Sequence, residues 1–344
     1  MERYLGIDPH RDSCTLALVS PQGKKVKQMV VPTEGSELVK TVREIRGPLH
    51  VCVEEGEWGE WISEILTPWV ARLVVCRPEK RRGPKSDAWD ARELAERLRT
   101  NRTGPTVYKP SGEWARLREA VRLESKLTQD LTRTKLRLNS LYRRRGVTCP
   151  NGDLYLPRHR SKWVTKLPPS GRPCAELWGE QIDLLGELRE KAERQMHAAA
   201  AKFPIWKTLQ TAPGIAEKRA AILLATVVTP HRFRTKRQFW SYYGLGIVTR
   251  STSDWVQQSG RWVRAAVIET RGLNRASNRP LKAVFKGASQ SARSMLPPNP
   301  FRDHYDRMLE AGTKPNLAQL TLARKLAAIV LAMWKTESEY RPMS

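Results

Sequence analysis

Cysteine and histidine are scarce in this chain, and the few present are scattered. The five cysteines, Cys14, Cys52, Cys76, Cys149 and Cys174, are odd in number and form no CxxC pair, and the six histidines show no metal-ligand spacing. That pattern argues against a disulfide framework and against a zinc site, and the thiols read as reduced and mostly buried, as in a cytosolic protein. No run of about 18 apolar residues occurs, and Met1 leads straight into a charged, strand-like segment, so neither a transmembrane helix nor a signal peptide is expected. The expected location is the cytoplasm, on the nucleoid, with no membrane partner.

Acidic residues are in deficit too. The chain has 35 Asp+Glu against 61 Lys+Arg, a net charge of +26. Residues 1–100 hold 17 basic and 16 acidic side chains, a net of +1, which leaves +25 for residues 101–344. Solubility alone asks for a net charge of only about 2–8 on a small domain. A near-neutral first domain followed by a basic remainder therefore points to a polyanionic partner, nucleic acid, rather than to a small substrate.

What is present describes a folded protein of more than one unit. At 344 residues, 40% hydrophobic and with 12 Trp, the chain is long for one core and too apolar for disorder. The first hundred residues alternate strand and helix signals in the order βββαβαβα. Strands are expected at Tyr4–Asp8, Cys14–Val19 and Lys25–Val31, the last two joined by the turn residues Pro21–Lys24. They are followed by a helix over about 35–45, a strand at His50–Glu54, a helix around 58–66, a strand at Arg72–Cys76 and a helix over about 86–98. Residues 113–145 read as a long helix with Leu117, Leu131 and Leu138 on one heptad register and Ala120, Leu127 and Leu141 on another, interrupted by Glu124 and Thr134. A second long helix, about 174–201, carries Trp178, Ile182, Leu185, Ala192, Met196 and Ala199 on one stripe. The pair is expected to form an antiparallel coiled coil, within the chain or between subunits, around a basic Pro/Gly-rich loop at 146–173. From about Phe203 a further unit begins, in which Thr211–Lys218 precedes an apolar helix at 220–228, in the manner of a helix-hairpin-helix that offers backbone N–H groups to phosphate. The alternative for that segment is a plain helix start. A last helix is expected over 316–335.

The chemistry-bearing pattern is a set of carboxylates at element ends. Phosphodiester chemistry commonly uses two divalent ions clamped by carboxylates that converge from different elements, because Mg²⁺ takes hard oxygen ligands. Asp8 ends the first strand and Glu54 the fourth, where an acidic group after an apolar run is costly to bury unless it is used. Asp87 and Asp90 are three apart near a helix start and project from one face. Either alone reads as a first-turn acid stabilised by the helix dipole, but the ordered set of four is far more specific. Glu55 competes for the second position, and alternation after Val51 and Val53 separates Glu54 from it.

These residues resemble a known family. Gly6-Ile7-Asp8, Val51-Cys52-Val53-Glu54, Lys85-Ser86-Asp87 with Asp90-Ala91-Arg92, Pro213-Gly214-Ile215, Phe239–Leu245 and Ala323–Ala327 are together similar to the DEDD transposases of the insertion-sequence-one-ten family. The resemblance implies an α/β RNase H-like (RuvC-like) domain at 1–108, a helical coiled-coil region at 109–202 and a mainly α C-terminal transposase domain at 203–344. It further implies Mg²⁺, with Mn²⁺ as a substitute, held in a two-metal site by Asp8, Glu54, Asp87 and Asp90. The implied reaction is recombination of a mobile element between donor and target DNA, guided by a structured non-coding bridge RNA and carried out by a dimer or tetramer. In the family a serine just beyond the Gly-Leu segment attacks a DNA phosphate. An ungapped count from Gly244-Leu245 lands on Thr252, so Ser251, preferred, and Ser253 are the candidates. Arg250 and Arg264 are candidate phosphate contacts, and Arg271, Asn274, Arg275, Arg279 and Lys282 could track a nucleic-acid backbone. Trp255 and Trp262, which flank this stretch, read more readily as core than as base platforms. Two other readings stay open at this point: a RuvC-type junction resolvase, and a non-catalytic nucleic-acid-binding protein, which the charge alone would favour.

Overall fold

The computed structural model describes residues 1–78, 86–104, 106–109, 112–149, 152–250, 255–264, 269–274, 277–295 and 299–341, with the backbone alone for 249, 250, 256, 264 and 269–271. The chain divides into two compact units, Met1–Ala115 and Arg116–Ser344. Of the segments expected as a coiled-coil region (109–202) and a C-terminal domain (203–344), all but residues 109–115 fall in the second.

The first unit is a mixed sheet with helices on both faces. Strands β1 (Arg3–Pro9), β2 (Ser13–Val19) and β3 (Lys25–Pro32) form an antiparallel meander, helix α1 (Gly35–Glu44) leads to β4 (Leu49–Glu54), and α2 (Gly59–Leu66) leads to β5 (Arg72–Cys76). Helix α3 (Asp87–Arg99) and the short β6 (Thr106–Val107) complete it, and the sheet order is β3-β2-β1-β4-β5-β6. β1 pairs parallel with β4, and β4 with β5. Every strand and helix expected over residues 1–100 is present, within one or two residues at each end.

Strand alternation assigns the two faces. Leu5, Ile7, Val51 and Val53 point to one side and pack with Leu38 and Val42 of α1 and Ile62 and Leu66 of α2. Tyr4, Cys52, Val74 and Cys76 point to the other and meet Leu94 and Leu98 of α3. On this second face α3 lies directly on the backbone of β1: a Cβ at Gly6 would stand 1.9 Å from the Ala91 carbonyl oxygen and 2.7 Å from the Ala95 nitrogen. Only a residue without a side chain allows that approach.

In the second unit, helix α4 (Glu113–Arg143) buries Leu117, Val121, Glu124, Thr134, Leu138, Leu141 and Tyr142. Glu124 and Thr134 therefore belong to the buried stripe instead of interrupting it. Fully buried Glu124 is paired with Lys218 and accepts a hydrogen bond from the Thr128 hydroxyl at 2.7 Å, and Thr134 donates to the Asp130 carbonyl at 2.9 Å. A charge survives burial when it is paired and hydrogen-bonded. Helix α5 (Pro157–Val164) occupies part of the expected basic loop, and α6 (Arg172–Ala200) follows. Leu138, Leu141 and Tyr142 of α4 meet Ala175 and Ile182 of α6 around Trp163 of α5, Leu154 and Leu167. This local junction, and no continuous coiled-coil seam, joins the two long helices within the chain. Trp163 and its neighbours supply the apolar surface that a partner helix would have supplied.

The rest of the unit comprises α7 (Ile205–Gln210), α8 (Glu217–Val227), α9 (Lys236–Tyr242), four short strands, β7 (Ile247–Arg250), β8 (Trp255–Gln258), β9 (Arg261–Arg264) and β10 (Glu269–Leu273), and then α10 (Arg279–Ser294), α11 (Pro300–Glu310) and α12 (Pro315–Thr336). β7 pairs with β10, and β8 with β9. Gly214, in the turn between α7 and α8, has a φ of +76°, and a Cβ there would lie 2.1 Å from the Ala288 carbonyl oxygen of α10. Packing against α10 is thus what requires this glycine. Helix α12 is long and apolar enough to cross a membrane by length and composition. Leu322, Leu326 and Val330 are nevertheless fully buried against protein, and Arg324 sits mid-helix with its Nε donating to the Leu245 carbonyl at 2.7 Å, so it is the core helix of this unit.

Gly6→Ala is expected to lower unfolding stability by at least the ~1–3 kcal/mol typical of an overpacked core. Gly56→Ala, where a Cβ meets nothing within 4 Å, is expected to leave it unchanged; paired urea denaturation curves make the comparison.

Candidate active site

The four carboxylates singled out in the sequence come from three elements that meet at one end of the sheet. Asp8 follows Gly6 by two residues and so shares the face that carries α3, and it is only 9% exposed. The parallel register sets Ile7 opposite Val53, which puts Asp8 and Glu54 next along neighbouring strands. Glu54 alternates with Val53 and shares the α3 face with Cys52, whereas Glu55 turns away to an ion pair with Lys109 at 3.5 Å. Asp87 and Asp90 occupy the first turn of α3, whose N-cap Ser86 has an extended backbone (φ −147°, ψ 117°). The Ser86 carbonyl accepts from the Asp90 N–H at 2.9 Å. The positive end of the helix dipole favours both acids there. Because α3 rests on Gly6, its first turn is held close to Asp8, near the end of β1.

Of the four, Asp8 and Asp87 are brought together by a further group that sequence reasoning missed. His10 Nε2 lies 3.4 Å from Asp8 Oδ2 and 3.3 Å from Asp87 Oδ1. Asp8, His10 and Asp87 can each present one ligand atom within 4.8 Å of the others. The imidazole is held by its own backbone: the His10 N–H donates to the Ser13 carbonyl at 3.0 Å in the tight turn from β1 to β2, and its carbonyl accepts from the Thr33 hydroxyl at 2.8 Å. Its spacing of two from Asp8 was the available signal. The exposure of Asp87, 51% for the side chain against 12% for Asp8, makes the cluster open on the Asp87 side. Carboxylate oxygens suit Mg²⁺, and an added imidazole nitrogen also suits Mn²⁺, so the donor set fits the implied metal.

Beneath Glu54 the two thiols of the α3 face touch. Cys52 Sγ donates to Cys76 Sγ at 3.7 Å, and that bond, with burial, pushes the Cys52 thiol above its ordinary pKa. Both cysteines are free.

Of the candidate nucleophiles and nucleic-acid contacts, Ser251, Ser253 and Arg275 lie outside the described residues. Arg250, Arg264 and Arg271 fall in β7, β9 and β10, where only the backbone is described. Asn274 is bound into the fold: its N–H donates to the Gly246 carbonyl at 3.0 Å, and its amide reaches the Ser241 carbonyl at 3.4 Å. Arg279, exposed, and Lys282 stand in the first turn of α10, which Asn278 caps through the Leu281 N–H at 3.0 Å. The Phe239–Leu245 motif builds the core beside them. Phe239, Tyr243 and Phe285 pack ring on ring with centroids 4.7–5.6 Å apart.

Titration with Mn²⁺ followed by calorimetry is expected to show binding that weakens in His10→Ala by about 10–100-fold, the cost of losing a supporting residue of a metal site. Pulsed EPR of the bound ion should show imidazole nitrogen coupling that the variant lacks.

Comparison with known proteins is consistent across the chain. Residues 5–144 match a family model described as a transposase of the DEDD, IS110 type, and residues 206–305 match the model of the IS116/IS110/IS902 transposase family. An insertion element IS110 protein of 43.6 kDa, described as uncharacterized, from Streptomyces coelicolor is 28% identical over 154 residues, which is 45% of this chain and 35% of the relative. A transposase for insertion sequence element IS1533 from Leptospira borgpetersenii is 24% identical over 173 residues, 48% of this chain and 50% of the relative. The matched region thus spans a third to a half of these curated relatives. With both family models matched in order, one over the carboxylate centre and the other over the second unit, the chain belongs to the IS110/IS116/IS902 family of transposases.

Proposed function

We propose that this protein cuts and rejoins DNA strands as the transposase of a bacterial insertion sequence, with Asp8, Glu54, Asp87 and Asp90 as its metal-binding tetrad. The observation that carries this reading is the meeting of Asp8 and Asp87 at the ends of β1 and α3, with Glu54 beside Asp8 by register, in a chain of this family. When bound there, Mg²⁺, or Mn²⁺ in its place, supplies Lewis-acid polarisation of a phosphodiester and makes a hydroxyl a better nucleophile. The protein's own part is to hold that charge at a fixed point and to deliver the attacking group. The attacking group is the hydroxyl of Ser251 or Ser253, between β7 and β8. Its oxygen bonds to phosphorus, its proton goes to a base, and the cut strand leaves with its own oxygen. Attack by a second strand's hydroxyl on the serine–phosphate ester then frees the serine and completes exchange.

Arg250, Arg264, Arg271, Asn274, Arg275, Arg279 and Lys282 act as the nucleic-acid contacts of this reading, in a segment where basic residues dominate. Its partners are donor and target DNA and a structured non-coding bridge RNA. The working species is a dimer or tetramer, for which exposed leucines of α6, Leu177 (65%), Leu184 (56%) and Leu188 (38%), offer an intersubunit coiled-coil stripe.

Asp8→Ala is expected to abolish strand exchange while leaving DNA and RNA binding intact; normal recombination by that variant would overturn the metal-site assignment. Trapping of the protein–DNA adduct followed by peptide mapping is expected to locate the link at Ser251 or Ser253. Absence of any adduct would point instead to attack by water, as in a junction resolvase.

A further inference from the structure

The β8–β9 ribbon carries two tryptophans that the fold does not use. Its turn, Ser259-Gly260, has φ values of +53° and +74°, the two left-handed residues of a tight hairpin whose twist suits the flanking strands. The register sets Trp255 opposite Arg264 and Gln257 opposite Trp262. Residues paired across a ladder share a face, as do residues two apart, so Trp255, Gln257 and Trp262 all belong to one face of the ribbon. Trp255 is 60% exposed and Trp262 is 68% exposed. Among the described residues, neither ring is packed against another ring, placed under a cation or hydrogen-bonded through its indole nitrogen. Trp is on average one of the most buried residue types, and two exposed on one face of a ribbon amount to a surface kept for a partner.

Charge identifies the partner. Residues 247–282 hold seven Lys+Arg (250, 261, 264, 271, 275, 279 and 282) against two acidic residues (254 and 269), a net of +5. Flat aromatic rings between arginines bind unpaired bases well, because each ring stacks on a base while the cations follow the phosphates. A duplex buries the faces of its bases and offers the rings nothing comparable.

We propose that Trp255 and Trp262 form a stacking platform for unpaired bases of a single-stranded nucleic acid, with Gln257 between them as a hydrogen-bonding group. The platform is independent of the phosphodiester chemistry proposed above, and its test runs in EDTA on the full chain. Equilibrium binding of fluorescent oligothymidine, oligouridine and a DNA duplex is measured by anisotropy, with light scattering to follow subunit number. Trp255→Ala and Trp262→Ala are each expected to weaken single-strand binding about 5- to 150-fold, the range for loss of one stacked base. Duplex binding and the salt dependence of single-strand binding should stay as in the unaltered protein, and Trp→Tyr at either position should recover most of the loss. A larger effect on oligouridine identifies an RNA segment as the natural occupant, and a larger effect on oligothymidine a DNA strand; either supports the platform. Unchanged single-strand binding, an equal loss on duplex, or a loss that tracks a change in subunit number would overturn it, the last because the rings would then face a second copy of the chain.

Discussion

The geometry of the carboxylate centre depends on a contact between two backbones. Gly6 lets the Ala91 turn of α3 lie on β1 at a distance that no side chain permits. Two residues on, the same strand carries Asp8 next to its last residue, and in the first turn of the same helix, just ahead of Ala91, stand Asp87 and Asp90. Interiors are close-packed and transmit small displacements. A methyl group at Gly6 therefore acts on the separation of Asp8 and Asp87, although it touches neither. The glycine of the Gly-Ile-Asp motif is as much a part of the site as the aspartate.

Much of this first unit could be read in the sequence because each level agreed with the others. Strand alternation, turn residues and element order all led to the same sheet, and the acids fell at element ends where burial would otherwise be unfavourable. His10 escaped notice for a physical reason. Its spacing of two from Asp8 hinted at it, but its place beside Asp8 and Asp87 depends on the tight turn to Ser13 and on the hydroxyl of Thr33, two contacts that the spacing alone does not reveal. The four short strands after residue 246 were equally hard to see. Strands of four or five residues with polar faces have no periodic apolar pattern, and the Ser259-Gly260 turn signal was their one readable mark.

Residues that seemed to break a pattern proved informative in the second unit. Glu124 looked like an interruption of an apolar helix, yet it is wholly buried and answered by Lys218, far along the chain. A buried acid on one helix and its cation on another fix which surfaces meet, a pairing that an apolar contact of the same size would leave less specific. The tryptophans of the β8–β9 ribbon show the converse. Residue type suggested core, and register and exposure place them on an open face. Composition reports what a side chain prefers, and only the fold decides whether the preference is met.

The claim on which the rest turns is that the ends of β1, β4 and α3 form a divalent-ion centre. Crystals of the full chain with Mn²⁺, examined by anomalous diffraction, test it without relying on activity. The account predicts anomalous density ligated by Asp8 and Asp87, lost in Asp8→Ala. Density elsewhere on the molecule, with none between those two residues at saturating Mn²⁺, would contradict it.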